Sequence, residues 1–132
     1  MNGKHLLDTN IIIGLLQNDK KIVNYIESCP KVLISSTVLG ELYYGAFKSA
    51  RTEKNCATIS QLLTNISVLN INKSTARFYG QIKNQLKKLG KPIPENDIWI
   101  AASAMQYDLT LVSNDAHFSS IYGLKIDSPA KM

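Results

Sequence analysis

Ten of the 132 residues are Asp or Glu, and four of these have placements that suit chemistry: Asp8, Glu41, Asp97 and Asp115. Carboxylates brought close together repel one another, so some take up protons or a cation neutralises them. A donor set made only of oxygen suits hard ions, and Mg²⁺ or Mn²⁺ is expected there rather than zinc. A divalent ion held in this way lowers the pKa of a bound water and stabilises charge on phosphodiester oxygens. One of the acids can also orient the water as a general base. The same four residues are therefore the candidate metal ligands and the candidate catalytic residues. Thr9 and Ser113 each adjoin one of the acids and are placed to hydrogen-bond it or to touch phosphate. His5 and His117 are too few and too far apart to argue for zinc, and His117 reads as a packing or outer-shell residue.

Taken singly, each acid has an ordinary structural explanation. Asp8 and Asp97 suit a helix cap or first turn, where an acid meets the helix dipole favourably. Thr9 suits a cap equally well. Glu41 suits a buried ion pair, and Asp115 a turn after Asn114. Together these explanations require four independent coincidences, and the only arginines, Arg51 and Arg77, are not near the acids in sequence.

The elements that must position these residues follow from periodicity and punctuation. His5-Leu6-Leu7 is a short apolar strand, and a helix over Ile11 to Gln17 follows Asp8-Thr9-Asn10. Asp19 caps a helix from Lys21 to Ser28, ended by Pro30. Val32-Leu33-Ile34 is a second strand, and Ser35-Ser36-Thr37 opens a helix that reaches Lys48. A further helix covers Thr52 to Thr64, and Ile66 to Ile71 contains a third strand. Asn72 caps a long helix over Lys73 to Leu89, with Gly90 just past its end and Pro92 and Pro94 beyond. Asn96 precedes a helix from Asp97 to Gln106. Thr110 to Ser113 is a fourth strand, a helical turn follows Asp115, and Leu124 to Ile126 is an edge strand.

Strands that alternate with helices imply a three-layer α/β fold with a mostly parallel sheet of four to five strands. In such sheets ligands gather beyond the carboxyl ends of the strands, and both Asp8 and Asp115 follow strand ends. On its helix Asp97 shares an apolar face with Ala101 and Met105, which turns the carboxylate toward the sheet. Glu41 lies beside Val38, Leu42 and Gly45 in the helical net, not in a solvated charge run.

The bulk properties agree with this reading. Apolar residues make up 45% and charged residues 19% of the chain, an ordinary globular composition. A formal net charge of +5 suits a polyanionic partner, although it also suits simple solubility. Two isolated cysteines, Cys29 and Cys56, and the lack of a targeting or membrane segment lead to the expectation of a cytoplasmic protein. No repeat or linker interrupts the chain, so residues 1–132 read as one domain.

Four segments carry a resemblance to a known family. Leu6-Leu7-Asp8-Thr9-Asn10, Glu41-Leu42-Tyr43-Tyr44-Gly45, Asn96-Asp97-Ile98-Trp99-Ile100-Ala101-Ala102 and Leu111-Val112-Ser113-Asn114-Asp115-Ala116-His117-Phe118 resemble, in order, the acidic motifs of PIN domains. Short standalone members of this kind look like VapC-type toxins. The resemblance implies a Rossmann-like sheet, a Mg²⁺ or Mn²⁺ site, and endonucleolytic cleavage of RNA, often tRNA or ribosomal RNA. It also implies a homodimer and a cognate antitoxin whose tail covers the active site. Asp8, Glu41, Asp97 and Asp115 match the family's acidic positions, with Asn10 and Asn114 at the edge of the site. The cluster Tyr43, Tyr44 and Phe47 suits either the core or a surface for an antitoxin helix or RNA bases. Lys83, Lys87, Lys88 and Lys91 suit an RNA backbone or a solvated helix face.

Other readings compete. A receiver-type phosphoacceptor needs an aspartate at the end of the third strand, where Asn70-Ile71-Asn72 stands. A haloacid-dehalogenase-type phosphatase needs Asp-x-Asp after the first strand, where Asn10 replaces the second acid. A catalytically silent PIN-like binding module, or an RNA-processing nuclease outside a toxin–antitoxin pair, shares the pattern.

Overall fold

A computed structural model describes residues 3–131. Five strands alternate with six α-helices: β1 (Lys4–Leu7), α1 (Thr9–Leu16), α2 (Lys20–Ser28), β2 (Lys31–Ser35), α3 (Ser36–Lys48), α4 (Thr52–Leu62), β3 (Ser67–Leu69), α5 (Lys73–Leu89), α6 (Glu95–Gln106), β4 (Thr110–Val112) and β5 (Ile126–Asp127). The sheet order is β3-β2-β1-β4-β5, and every strand pair is parallel. Parallel sheets need both faces covered. Successive strand residues point to opposite faces, and Leu6 and Leu7 on β1, like Leu111 and Val112 on β4, are completely buried. Helices must therefore lie on both sides, which gives the three layers expected from the alternation.

Local capping explains several boundaries. The Asp19 carboxylate accepts from the Lys21 and Ile22 amides at the start of α2, and the Ser35 hydroxyl accepts from Val38 at the start of α3. The Asn72 side chain accepts from Ser74 and Thr75 while Thr75 Oγ1 returns a bond from the Asn72 amide, a reciprocal capping box on α5. Gly90 ends α5 at φ 68°, a left-handed conformation that glycine adopts without a Cβ penalty.

Other boundaries differ from the expectation. Helix α6 begins at Glu95, not Asp97, because the Pro94 carbonyl already accepts from the amides of Asp97 and Ile98. Asp97 thus sits inside the first turn, and Asn96 is helical. Helix α1 begins at Thr9 because Asp8 is its cap. Strand β5 lies at Ile126–Asp127, later than Leu124–Ile126, where it pairs with Leu111 and Val112. No helix among the described residues is long and apolar enough to cross a membrane.

Asn72 also joins two helices, since its Oδ1 accepts from Gln106 Nε2 at the end of α6 (2.8 Å). Asn72→Ala is expected to cost about 1 kcal/mol of stability, and Asn72→Asp to cost less because it keeps the capping oxygen. Chemical denaturation midpoints check this; an unchanged midpoint for the alanine variant contradicts the capping role.

Candidate active site

Strands β1 and β4 end side by side. Leu7 is in register with Val112, and the Asp8 amide donates to the Val112 carbonyl (3.0 Å), so Asp8 and Ser113 leave the sheet together. Asp8 is almost completely buried, and its oxygens are held from several sides. Oδ1 accepts from the Thr9 amide (2.8 Å), and Oδ2 accepts from Ser113 Oγ (2.7 Å) and Asn10 Nδ2 (3.3 Å). Ser113 Oγ in turn accepts from the Asp115 amide (3.0 Å). One hydroxyl therefore ties the first acid to the loop that carries the last.

Glu41 arrives from α3 and is fixed by neutral donors, with no salt bridge to an arginine or lysine among the described residues. Thr9 Oγ1 donates to Oε1 (3.0 Å) and Asn96 Nδ2 donates to Oε2 (2.8 Å). Asp97, in the first turn of α6, lies with Oδ2 3.1 Å from His117 Nδ1. Asp115 caps a short 3-10 turn over Ala116–Ser120 by accepting from the His117 amide (2.9 Å). Its Oδ1 also stands 3.1 Å from His117 Nδ1.

All four acids line one concavity of ≈ 350 Å³, together with Thr9, Asn10, Ile13, Pro94, Asn96 and His117. Burial pushes the Asp8 carboxyl above its usual range; the Ser113 and Thr9 hydrogen bonds oppose this, and repulsion from Asp115 adds to it. Burial likewise raises Asp97; the His117 hydrogen bond opposes this, and Asp8 and Asp115 add repulsion. The native site thus favours added positive charge. Its donors, carboxylate oxygens and one imidazole, fit a divalent cation. The tightest donor group is Asp97, Asp115 and His117, with ligand atoms all within 4.8 Å of one another. Asp8 and Glu41 border the same space.

Thr9 and Asn10 line the concavity, and Ser113 lies beside it, bonded to Asp8. Thr9 does not cap α1 with its side chain; its hydroxyl goes to Glu41. Asn114 does not line the concavity. Its Oδ1 accepts from Ser128 Oγ (3.0 Å) and the Ala130 amide (2.9 Å), tying the loop to the C-terminal segment. Asn96, outside the expected set, orients Glu41. His117, expected as a packing or outer-shell residue, stands against two of the acids. Adjacency was the signal for both, since Asn96 precedes Asp97 and His117 follows Asp115 by two residues. Tyr43 is half-buried against the core, whereas Tyr44 and Phe47 are exposed and lie outside the concavity. Lys83 pairs with Glu95 (3.0 Å) at the surface.

The raised Asp97 has a consequence for stability without metal. Its usual value is 3.8. At pH above the raised native value the folded state carries an unfavourable charge in full; as pH falls toward 3.8 the native protein gains a proton before the unfolded chain does, and the deficit disappears. In chelator, Asp97→Asn is expected to melt above wild type at neutral pH, and the gap to close as pH falls through that window. Thermal melts of both proteins across pH check this. A variant less stable than wild type, or a gap indifferent to pH, contradicts the electrostatic account.

Residues 5–124 match the PIN domain family model. Ribonuclease VapC2 of Haemophilus influenzae is 38% identical over 128 residues, covering 95% of this chain and 97% of that protein. The tRNA(fMet)-specific endonuclease VapC of Shigella flexneri is 35% identical over 127 residues, covering 94% and 96%. Among solved structures, VapBC-1 from nontypeable Haemophilus influenzae superposes with a TM-score of 0.89 at 32% identity, over 96% of this chain and 98% of the other. VapBC2 from Rickettsia felis, bound to a DNA fragment from its promoter, gives 0.88 at 28% identity, over 95% and 98%. A parallel sheet with acids gathered beyond β1 and β4, and a match along almost the whole sequence, lead to one conclusion: the chain belongs to the PIN-domain family.

Proposed function

We propose that this protein is a metal-dependent endoribonuclease, the toxin of a type II toxin–antitoxin pair, which hydrolyses RNA phosphodiester bonds in the cytoplasm. The observation that carries the proposal is the convergence of Asp8, Glu41, Asp97 and Asp115 on one concavity at the carboxyl edge of the sheet. The names of its relatives, ribonuclease and tRNA(fMet)-specific endonuclease, support RNA as substrate and tRNA as the first class to test. The family match over residues 5–124 supports reading residues 1–132 as a single nuclease domain.

In this reading Asp8, Asp97, Asp115 and Glu41 would hold Mg²⁺ or Mn²⁺. Such an ion supplies Lewis-acid stabilisation of charge on the phosphate oxygens and eases deprotonation of water. The protein's own residues supply the rest. Ser113, Thr9 and Asn10 lock the Asp8 carboxylate in one orientation, so no reorganisation is needed when substrate arrives. Thr9 and Asn96 present Glu41 at the concavity, where it orients the attacking water and takes its proton. The buried sheet edge beneath Asp8 and Asp97 shields the floor from bulk water and strengthens each of these interactions.

The partner we assign is a cognate antitoxin. An apolar groove of ≈ 200 Å³ adjoins the acidic concavity and shares Thr9, Ile13 and Glu41 with it; Leu16, Ala46 and Ile59 extend it along α1, α3 and α4. Ile13 and Leu16 are unusually exposed for apolar side chains, at 44% and 42%. An amphipathic antitoxin segment laid there would carry its end over the acids. VapBC assemblies among the solved relatives support such a partner. Homodimerisation remains part of the proposal on the family resemblance.

Asp8→Asn is expected to lower Mg²⁺- or Mn²⁺-dependent cleavage of tRNA or total RNA by about 100-fold or more, with the fold retained by circular dichroism. Equal cleavage by variant and wild type would sink the assignment. Leu16→Glu is expected to weaken binding of the cognate antitoxin by about 2 kcal/mol while free-enzyme cleavage persists. Calorimetry on the co-purified pair checks this, and undiminished affinity would remove the groove from the interface.

A further inference from the structure

His117 stands outside the acid set of the nuclease reading, yet its ring lies within the cluster. Nδ1 is 3.1 Å from Asp97 Oδ2 and 3.1 Å from Asp115 Oδ1. The donors reach this point from two places in the fold, the first turn of α6 and the loop after β4. The backbone fixes the approach of the ring. The His117 amide donates to Asp115 Oδ1 (2.9 Å), and Phe118, the next residue, is completely buried. Nδ1 of the ring and one oxygen of each carboxylate lie within 4.8 Å of one another, so a single ion placed between them would meet all three donors. A ring that ligates through Nδ1 carries its N–H on Nε2, and half of the side chain is exposed, so solvent can serve that N–H.

We propose that His117 is a nitrogen ligand of the divalent ion, alongside Asp97 and Asp115, and that it biases the centre toward Mn²⁺ over Mg²⁺. Mg²⁺ keeps to oxygen and dehydrates reluctantly. First-row divalent ions accept imidazole more readily than Mg²⁺ does, and Mn²⁺ is the one among them whose preference for carboxylate oxygen comes nearest to that of Mg²⁺. The proposal rests on the metal-dependent reading above and adds to it a ligand type and a metal preference.

The test loads the purified full chain with Mn²⁺ and records pulsed electron paramagnetic resonance with unlabelled and with ¹⁵N-histidine protein. The chain has two histidines, and the other, His5, bonds with its Nδ1 to the Gly3 carbonyl on the far side of β1 from the acids. The expected result is a nitrogen hyperfine signal that changes with the isotope and vanishes in His117→Ala. Mn²⁺ affinity should fall about tenfold or more in His117→Ala and His117→Asn, and Mg²⁺ affinity by about threefold or less. Mn²⁺ binding and RNA cleavage without an isotope-sensitive signal overturn the His117 proposal and leave the nuclease reading intact. A His117→Asn protein with the wild-type ratio of Mn²⁺ to Mg²⁺ affinity overturns it too. Failure to bind any divalent ion overturns both.

Discussion

Mutual repulsion among carboxylates is the constraint around which this fold is arranged. Burial raises the affinity of Asp8 and Asp97 for protons, repulsion from Asp115 adds to both, and repulsion from Asp8 adds to that of Asp97. A hydrophobic core would not choose such an arrangement, because buried like charges oppose folding. The chain tolerates it by surrounding Asp8 and Glu41 with neutral donors, a serine, a threonine, two asparagines and a backbone amide, while Asp97 and Asp115 share the ring of His117. No lysine or arginine is salt-bridged to these carboxylates among the described residues. Neutral donors orient the oxygens without cancelling their charge, so the demand for a cation survives folding. A salt-bridged site would have been more comfortable and chemically inert.

The sheet serves the same end. Its central strand β1 lies between β2 and β4, and both of its faces are filled by leucine. The apolar face of α6, with Ile98, Ala101 and Ala102 buried, presses onto the fold and brings the carboxylate of Asp97 to the same rim. Small residues there let the helix approach closely. Glu41 needs no burial of its own, since Thr9 and Asn96 reach it from two other elements.

Much of this was legible in the amino-acid order, for local reasons. Asp19, Ser35, Asn72 and Gly90 mark helix ends through capping chemistry that depends only on neighbours in sequence. Apolar alternation with helical segments revealed the layers, and the isolation of Asp8 and Asp115 after short apolar runs pointed to the sheet edge where the acids meet. The start of α6 was misread because Pro94 can serve as a cap position through its carbonyl alone, without any capping side chain. The contact of Asn96 was not legible and that of His117 only in part, because both reach across the fold, to Glu41 55 residues away and to Asp97 20 residues away. The fate of the Asn114 side chain was equally invisible, being decided by where the C-terminal segment happens to pass.

The hydroxyl of Ser113 bonds to an acid 105 positions earlier. Proteins emerge from the ribosome vectorially, beginning at the amino terminus. While a nascent chain still lacks β4, the first two strands can pair, but Ser113 and Asp115, the last of the four acids, have not been synthesised. The four carboxylates therefore face one another only after β4 has been made and has paired with β1, so a strand added late in the chain order completes what the first strand begins.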